Sequence, residues 1–237
     1  MQDAIVIALG GSLLSGKSFD ELESWKFGLV NLVESVIDKG MKIFIVVGGG
    51  KLARENIKKS IDNGVDDAFE LDLIGIEATR KNAIEVIKLF SDSNINLNQE
   101  IPKTIEEGIR YFENKDVVVM GGTVPGHTTD TVAIKIGNEL NSKMVIVATN
   151  VSHVFTSDPR HNSDAEPIES MPLGDLGALT GVGNEINPGS SFAVDPIGVS
   201  IAIEGNLPLV ILDGHDVENL SKAIIGESFE GTRVYRS

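Results

Sequence analysis

The fold is decided by residues 42–50, KIFIVVGGG, in which an apolar run of strand length ends in three glycines. The same pattern recurs at residues 4–11, AIVIALGG, and at residues 116–122, DVVVMGG. Apolar residues at helical spacing follow each of these runs. Apolar strands that do not alternate with polar residues are buried on both faces, so helices must cover both sides of the sheet. The pattern therefore predicts an α/β fold in which helices sandwich a mostly parallel sheet.

The segments between the strands carry helix signals. Residues 18–21, Ser-Phe-Asp-Glu, form a predicted capping box, and Gly40 ends the helix that follows. That helix carries Trp25 on its apolar face, which predicts a core residue rather than part of a cofactor site. Two polar stretches rich in Gly, Pro and Asn, 91–102 and 157–190, are predicted surface loops of a single domain. The remaining predicted helices cover residues 52–61, 68–90, 129–140, 192–204 and 216–225, and the remaining predicted strands cover residues 143–149, 207–212 and 232–236.

Composition and charge exclude several classes of protein. The chain has 237 residues, 41% hydrophobic and 23% charged, a balance that predicts a globular fold and excludes wholesale disorder. Its 35 acidic and 20 basic side chains give a formal net charge of −15, which repels a nucleic-acid backbone. The absence of cysteine excludes disulfides and thiolate metal sites. No apolar run approaches a membrane span and no signal peptide precedes the first strand, so we expect a cytoplasmic protein without membrane or nucleic-acid partners.

The glycine ends of the strands form the candidate ligand site. In open α/β sheets ligands bind beyond the carboxyl ends of the strands, and the N-terminus of the following helix favours an anion. Glycine also lets backbone N–H groups approach a ligand closely. Three such ends, at residues 10–11, 48–50 and 121–122, predict a site for several phosphates. The P-loop and Rossmann fingerprints are absent, so neither a P-loop NTPase nor a Rossmann dehydrogenase is supported.

Several basic residues accompany the glycine ends. Lys51 and Arg54 lie three residues apart on the first turn of a predicted helix, where their side chains can converge on one ligand. A cation at a helix start opposes the helix dipole, so we expect Arg54 to have a functional role. Arg80 and Lys17 are predicted to belong to solvated helix faces. The histidines without metal-ligand spacing are predicted loop residues: His153, His161 and His215.

Six segments of the chain carry a resemblance to a known family. They are IALGGSLL (7–14), VVGGGKLAREN (46–56), LDLIGIEATRKNA (71–83), VMGGTVPGHTTDTVA (119–133), ATNVSHVFTSDP (148–159) and GSSFAVDP (189–196). In order and spacing they resemble the uridylate (UMP) kinases of the amino-acid kinase superfamily, in particular the archaeal-type branch. The resemblance covers essentially the whole chain.

The resemblance implies both an architecture and an activity. The expected fold is a three-layer α/β/α sandwich with a mostly parallel sheet, a single domain over residues 1–237. A UMP-binding lobe is expected over roughly 1–140 and an ATP-binding lobe over roughly 141–237. The expected reaction transfers the γ-phosphoryl group of ATP to UMP, giving UDP and ADP in pyrimidine nucleotide biosynthesis. The family also implies Mg²⁺ with ATP and a homohexamer.

The resemblance further assigns site residues to this chain. For ATP, it implies binding by the glycine loop at 8–12, by two positions after the second strand and by three later positions: Ala8, Leu9, Gly10, Gly11, Ser12, Gly50, Arg54, Thr149, Phe155 and Asp158. For UMP, it implies one glycine, an aspartate for the ribose and a loop that wraps base and phosphate: Gly49, Asp72, Val124, Pro125, Gly126, His127, Thr128, Thr129 and Asp130. Asp130 is also the expected catalytic residue, organising groups around the transferring phosphoryl. For His127, a functional role and a role in shaping the loop both stay open. No residue is assigned to a metal.

Two departures from the family pattern leave other functions open. Many superfamily members carry a lysine where this chain has Ala8, and the usual Val-Asp-Gly-Val-Tyr is Val-Ser-His-Val-Phe at residues 151–155. Another cation must then neutralise the bridging charge, and the nucleotide preference of the loop could differ. A non-catalytic nucleotide- or oxyanion-binding storage or sensor protein is the first alternative. Another small-molecule kinase of the superfamily is the second.

Overall fold

A computed structural model describes residues 4–15, 18–182 and 194–236. In this part of the chain the strands are β1 Ala4–Leu9, β2 Lys42–Val47, β3 Val117–Met120, β4 Val145–Thr149, β5 Val154–Phe155, β6 Pro167–Ile168, β7 Ser170–Pro172, β8 Leu209–Asp213 and β9 Thr232–Tyr235. The helices are α1 Phe19–Asp38, α2 Gly50–Asp62, α3 Ala68–Leu89, α4 Ile105–Asn114, α5 Thr129–Glu139, α6 Leu173–Thr180, α7 Pro196–Glu204 and α8 Val217–Ile225. A short 3₁₀ turn, Gly11–Leu14, follows β1.

One seven-stranded sheet organises the described chain, with the strand order β3-β2-β1-β4-β8-β9-β7. The five strands from β3 to β8 are parallel neighbours, whereas β9 runs antiparallel to β8 and β7 runs parallel to β9. Strands β5 and β6 form a separate antiparallel hairpin. All five parallel strands therefore present their carboxyl ends at one edge of the sheet.

Helices cover both faces of this sheet. One buried cluster joins the sheet to α1, α3 and α8, and the other joins it to α4, α5, α6 and α7. Successive strand residues enter opposite clusters: Ala8 is 2% exposed in the α5 cluster, and Leu9 is 1% exposed in the α1 cluster. The predicted three-layer sandwich with a mostly parallel sheet is confirmed.

Local signals fixed the first helix as predicted. The Ser18 hydroxyl accepts a hydrogen bond from the Glu21 N–H, the Glu21 carboxylate accepts from the Ser18 N–H, and α1 begins at Phe19. Gly40 ends the segment with φ of +78°, a left-handed conformation that favours glycine. The Trp25 side chain is buried and its Nε1–H donates to the Gly214 carbonyl at 2.8 Å. Trp25 is therefore a core residue, as predicted.

The two predicted surface loops are partly wrong. Within 157–190 the chain forms β6, β7 and helix α6, because the apolar residues Leu173 and Leu176 anchor that helix in the core. Within 91–102 the Asn98 side chain is fully buried, and it exchanges two hydrogen bonds with the backbone of Val119. The prediction took the polar residue Asn98 as a sign of a surface loop. Its amide side chain instead bonds to the Val119 backbone as the backbone of a neighbouring strand would.

Two helix predictions also need correction. Helix α4 was missed, although Thr104 accepts from the Glu107 N–H as a cap and Phe112 anchors the helix in the core. Helix α7 begins at Pro196 and is capped by Asp195, so residues 194 and 195 of the predicted helix lie outside it. The predicted start at 192 lies outside the described residues. Among the described helices, none is both long and apolar enough to cross a membrane.

Candidate active site

The first two glycine turns pack directly against each other. A Cβ on Gly11 would lie 2.2 Å from the Gly48 carbonyl oxygen, and one on Gly50 would lie 2.2 Å from the Gly11 backbone. Gly50 also has φ of +52°, which favours glycine. No other residue fits at either position without moving backbone. The glycines thus bring the ends of β1 and β2 together, which places backbone groups of both turns in one small volume.

The third glycine turn is tied to helix α3 through Thr79. The Thr79 hydroxyl accepts from the Gly122 N–H and donates to the Ile76 carbonyl, each at 2.6 Å. Thr79 is only 7% exposed, and a Cβ on Gly121 would lie 2.6 Å from its hydroxyl oxygen. The turn after β3 therefore seats closely on α3.

A cleft of about 470 Å³ opens between α2, α3 and the segment that leads into α5. We refer to it as the acceptor cleft. It contains every predicted UMP residue except Asp130, together with Gly50 and Arg54, which were predicted to face ATP. Sequence reasoning missed the helix residues that complete its wall. The full lining is Gly49, Gly50, Ala53, Arg54, Ile57, Asp72, Gly75, Ile76, Thr79, Gly122, Val124, Pro125, Gly126, His127, Thr128 and Thr129.

Asp72 holds the loop that closes the acceptor cleft. Its Oδ2 accepts from the Gly126 N–H at 2.7 Å, across 54 residues of sequence. Gly126 has φ of +82°, so glycine is favoured at this turn. Both residues are exposed, and a carboxylate has further lone pairs that can accept from the hydroxyls of a sugar.

The start of α5 is joined to α7 through Asp195. The Thr128 hydroxyl accepts from the Thr131 N–H at 3.2 Å, as a helix cap, and donates to Asp195 Oδ2 at 2.8 Å. The Thr131 hydroxyl donates to the same oxygen, and Asp195 Oδ1 accepts from the Ile197 N–H at 3.1 Å to cap α7. Asp195 was not predicted as a site residue. Its place in the segment GSSFAVDP was the only signal that could have found it.

Asp130 lies half-buried beside Asp195. Burial and, as the second cause, the neighbouring Asp195 carboxylate together raise the pKa of its carboxyl to about 7. A hydrogen bond from the Asp195 backbone opposes this shift only in part. Two carboxylates this close repel each other, so the arrangement favours a proton or a cation at this point.

The geometry agrees with the comparison to known proteins. The sequence model of the amino acid kinase family matches residues 3–213. The chain belongs to the amino acid kinase family. A uridylate kinase of Methanococcus vannielii is 36% identical over 230 residues, covering 97% of this chain and 98% of that protein. A uridylate kinase of Methanocaldococcus jannaschii is 35% identical over 230 residues, covering 96% and 99%.

A solved structure extends this similarity to three dimensions. The crystal structure of uridylate kinase from Archaeoglobus fulgidus superposes with a TM-score of 0.81 at 30% identity, covering 99% of this chain and 100% of that one. The resemblance of this amino acid kinase to uridylate kinases, first drawn from six sequence segments, is therefore confirmed.

Two predictions about basic residues of this family member change with the structure. Arg80 does not belong to a solvated helix face: its guanidinium donates to the carbonyls of Gly122 and Thr123 at 3.2 Å each, and to that of Lys103 at 3.4 Å. Three carbonyls from two separate segments thus meet one side chain. Lys51 is exposed, pairs with Glu55 at 3.6 Å and does not line the acceptor cleft. The prediction for Lys17 lies outside the described residues.

Most of the predicted ATP residues of this family member lie at or just after the carboxyl ends of β1, β2 and β4. The Gly10 N–H donates to the Ala148 carbonyl at 2.8 Å, so the glycine turn lies beside Thr149 at the end of β4. The side chains of Ala8 and Leu9 are in the two cores, which leaves only their backbone groups for ATP. The remaining predicted positions do not line the acceptor cleft: Gly11, Ser12, Phe155 and Asp158.

Asp158 is held by its own neighbour. The Arg160 guanidinium donates to both carboxylate oxygens, at 3.0 and 2.7 Å, and the Arg160 N–H donates at 2.9 Å. These hydrogen bonds from Arg160 lower the pKa of Asp158 to about 2. Asp158 is therefore charged at neutral pH and its position is set by a local turn.

The histidines differ from one another. His127 lines the acceptor cleft, and its Nε2 lies 3.3 Å from the Nζ of Lys135 on α5, a cation that sequence reasoning missed. Burial and then Lys135 lower the pKa of His127, while Asp195 opposes the shift. His161 lies in an exposed loop, as predicted. His215 follows β8, and its Nδ1 lies 2.7 Å from Asp213 Oδ1. This contact holds the His215 ring against the end of β8, which the prediction of a loop residue did not include.

Proposed function

We propose that this protein is a UMP kinase, which transfers the γ-phosphoryl group of ATP to UMP and releases UDP and ADP. One observation carries the proposal: the acceptor cleft gathers eight of the nine residues that the family pattern assigns to UMP, from three separate segments. The cleft also contains Arg54, a cation suited to phosphate. The family and its uridylate kinase relatives support the same reaction.

The proposed mechanism needs no general base. The acceptor is a phosphate oxygen of UMP that is already ionised at neutral pH, so catalysis consists of alignment and charge neutralisation. Backbone N–H groups of the packed glycine turns and the Arg54 guanidinium supply positive charge between the two nucleotides. This suits a site that is rich in glycine and has one histidine in its wall.

The acceptor cleft offers a group for each part of UMP. Asp72 accepts from ribose hydroxyls, while it holds Gly126 in place. His127, whose lowered pKa favours the neutral ring, can exchange hydrogen bonds with the uracil edge. The Thr129 hydroxyl, at the positive end of α5, donates to the phosphate, whereas the Thr128 hydroxyl keeps its donor bond to Asp195.

Mg²⁺ belongs to the proposal as a partner of ATP. The described residues contain no group of three or more His, Cys, Asp or Glu that could hold a metal, so the nucleotide phosphates must provide most ligands. Asp130 fits this role on the protein side, because its carboxyl lies beside the Asp195 carboxylate and a cation would relieve their repulsion. When bound, the ion supplies neutralisation of the phosphate charge.

The proposal has finer parts that concern the whole protein. We infer a cytoplasmic enzyme of pyrimidine nucleotide biosynthesis that works as a homohexamer. Acceptor and donor lobes would cover roughly 1–140 and 141–237. Exposed apolar side chains on α2 and α3, Ile61, Phe69 and Leu73, support self-association, because a monomer would leave them in water. Light scattering on the purified chain tests the oligomeric state.

A panel of nucleoside monophosphates tests the activity. ADP release is measured with ATP, Mg²⁺ and UMP, CMP, dUMP or AMP as the acceptor. We expect UMP to be the best acceptor, with CMP and dUMP much poorer, since Asp72 reads the ribose and residues 124–130 read the base. Equal rates with AMP or CMP would contradict the proposal and favour another small-molecule kinase. Nucleotide binding without ADP release would favour the non-catalytic alternative.

A further inference from the structure

Asn82 is a polar residue buried within helix α3, where it is only 8% exposed. Asparagine is unfavourable in the interior of a helix, and a buried amide requires hydrogen-bond partners. The Asn82 Nδ2 donates to the carbonyls of Gly48 and Gly49, at 2.8 and 3.0 Å. Carbonyl oxygens only accept, so the amide nitrogen is the group that faces them. Asn82 does not line the acceptor cleft, and the mechanism above gives it no role.

These two hydrogen bonds orient two consecutive peptide groups. The Gly48 carbonyl shares its peptide with the Gly49 N–H, and the Gly49 carbonyl shares its peptide with the Gly50 N–H. No peptide bond in the described part of the chain is cis, and in a trans peptide the C=O and N–H bonds point in opposite directions. Since both oxygens are held toward Asn82, the N–H groups of Gly49 and Gly50 point away from it.

The same turn has the conformation of an anion-binding nest. Gly49 is right-handed, with φ of −79° and ψ of −32°, and Gly50 is left-handed, with φ of +52°. A right-handed residue followed by a left-handed one lets successive N–H groups converge on an anion. Within residues 4–15, 18–182 and 194–236, no group accepts from the N–H of Gly49 or Gly50, and both residues line the acceptor cleft. These two donors are therefore available to a ligand of that cleft.

Packing and hydrogen bonding restrain this turn in different ways. The contact with Gly11 fixes where the turn lies, because no side chain fits between the two backbones. Glycine lacks a Cβ and allows many backbone directions, so hydrogen bonds must decide which way each peptide group faces. Asn82 supplies them from α3, whose Ala83 and Val86 are buried in the core. Donors that are fixed before a ligand binds stabilise its charge without having to reorganise.

The phosphate of UMP is the part of the acceptor that suits this turn. Arg54 lies one turn further along α2 and lines the same cleft, so a cation accompanies the two N–H groups. The ribose is already matched by Asp72, and the uncharged base offers no anion. We propose that Asn82 is a positioning residue for the acceptor phosphate, because it holds the N–H groups of Gly49 and Gly50 toward that phosphate. This inference rests on the proposed kinase function and adds the residue that orients its phosphate-binding turn.

Calorimetric binding of UMP and of uridine, without ATP, tests the proposal. Asn82→Leu keeps the approximate size of the side chain and removes the donor. It should raise the Kd for UMP about tenfold, equivalent to about 1.4 kcal/mol, because the two N–H groups are no longer held toward the phosphate. The Kd for uridine, which has no phosphate, should change less than about twofold. A purely structural role would instead weaken the binding of both ligands by the same factor.

Asn219→Leu is the matched control. Asn219 is also a helical asparagine that is 8% exposed, and it exchanges hydrogen bonds of 2.6 and 2.7 Å with the Glu230 backbone. It lies on α8 and does not line the acceptor cleft. The control should lower the free energy of unfolding in urea but leave the ratio of the two Kd values unchanged. Asn82→Ser keeps one shorter donor, so it tests the proposal if Asn82→Leu does not fold, and its ratio should change in the same direction.

The possible outcomes separate this proposal from the proposed function. An unchanged Kd for UMP in the Asn82 variants, or an equal loss of affinity for UMP and uridine, overturns the role of Asn82. An unaltered protein that binds UMP no more tightly than uridine would overturn both proposals, since the turn would then hold no phosphate. Tight binding of UMP that depends on Asn82, without release of ADP when ATP and Mg²⁺ are added, would support the role of Asn82 and contradict the kinase function alone.

Discussion

At the scale of single residues, Asp130 combines a cost to folding with a role in the proposed reaction. Its carboxyl lies half-buried beside Asp195, and this environment raises its pKa to about 7. An acid in the first turn of a helix usually stabilises that helix, but burial and the second carboxylate act against the charged form here. Carboxyl groups with an unfavourable environment of this kind are found at positions that bind a cation or a charged ligand.

Asp130→Asn should lower turnover and stabilise the free protein at high pH. We expect kcat to fall at least about tenfold, since the amide cannot organise positive charge around the phosphoryl group. The folded protein keeps a proton on Asp130 up to about pH 7, whereas the unfolded chain loses it near pH 4. The stability due to the neutral carboxyl is therefore present below about pH 4 and is lost as the pH rises through about 7.

The measurement is thermal unfolding of both proteins without Mg²⁺ or nucleotide, at several values between about pH 5 and pH 8. The melting temperature of the Asn variant, relative to that of the unaltered protein, should increase as the pH rises. Asp175→Asn is the control, because Asp175 is an exposed acid in the first turn of α6. The melting temperature of this control variant should show no such increase relative to the unaltered protein. A constant difference across this range, with normal turnover, would make Asp130 a simple helix-start acid.

At the scale of secondary structure elements, the acceptor cleft depends on how helices are joined to glycine turns. Thr79 joins α3 to the turn after β3, and Arg80 joins the same helix to three carbonyls. Asp195 joins α7 to α5 through the hydroxyls of Thr128 and Thr131. Each joint is a side chain from one element bonded to another, so the cleft keeps its shape only while the elements stay together.

Thr79→Val should weaken both the fold and UMP binding. The change keeps the shape of the side chain but leaves the buried Gly122 N–H without its acceptor, which costs about 1–3 kcal/mol. Urea unfolding measures this loss, and the KM for UMP should rise because Gly122 lines the acceptor cleft.

Thr180→Val provides the comparison for Thr79→Val. The Thr180 hydroxyl is equally buried, but it donates to carbonyls within its own helix, α6, whose backbone bonds remain after the change. Its loss should therefore cost less than about 1 kcal/mol and leave the KM for UMP unchanged. Equal losses of unfolding free energy in the two variants would show that the hydrogen bond between Thr79 and Gly122 has no special role.

At the scale of the whole molecule, the net charge of −15 affects both stability and substrate access. Self-repulsion destabilises the compact state, and the same field repels nucleotides on their way to the cleft. The packed glycine turns, Arg54 and Lys135 are local sources of positive character within this field. We therefore expect these local groups to bind the anionic nucleotides although the net charge of the protein repels them.

Salt should stabilise this protein. Between about 0.01 and 0.15 M ionic strength the screening length falls from about 30 Å to about 8 Å, which weakens repulsion among the acidic residues. The melting temperature should rise over this range with NaCl and KCl alike, and by more than with an equal osmolality of sucrose, which stabilises only through its exclusion from the protein surface. A melting temperature that falls with either salt would contradict this account, since it would mean that attractive ion pairs dominate.

Local sequence patterns were sufficient to predict the elements that depend on near neighbours. A capping box acts over three residues and a helical apolar face over a few turns, so α1, α3 and α5 could be predicted within a residue or two. The apolar strands and their glycine ends predicted the parallel sheet and its ligand edge for the same reason. Recognisable motifs then predicted most of the acceptor cleft, but not the five residues of α2 and α3 that complete its wall.

Contacts between side chains that are distant in the sequence could not be predicted and are seen only in the folded protein. Asn98 bonds to Val119, Arg80 to Gly122 and Thr128 to Asp195, over separations of 21 to 67 residues. Local periodicity carries no information about these partners, because they follow from the strand order β3-β2-β1-β4-β8-β9-β7 and from how each helix crosses the sheet. For the same reason the side-chain contacts of Arg80 could not be predicted from the sequence.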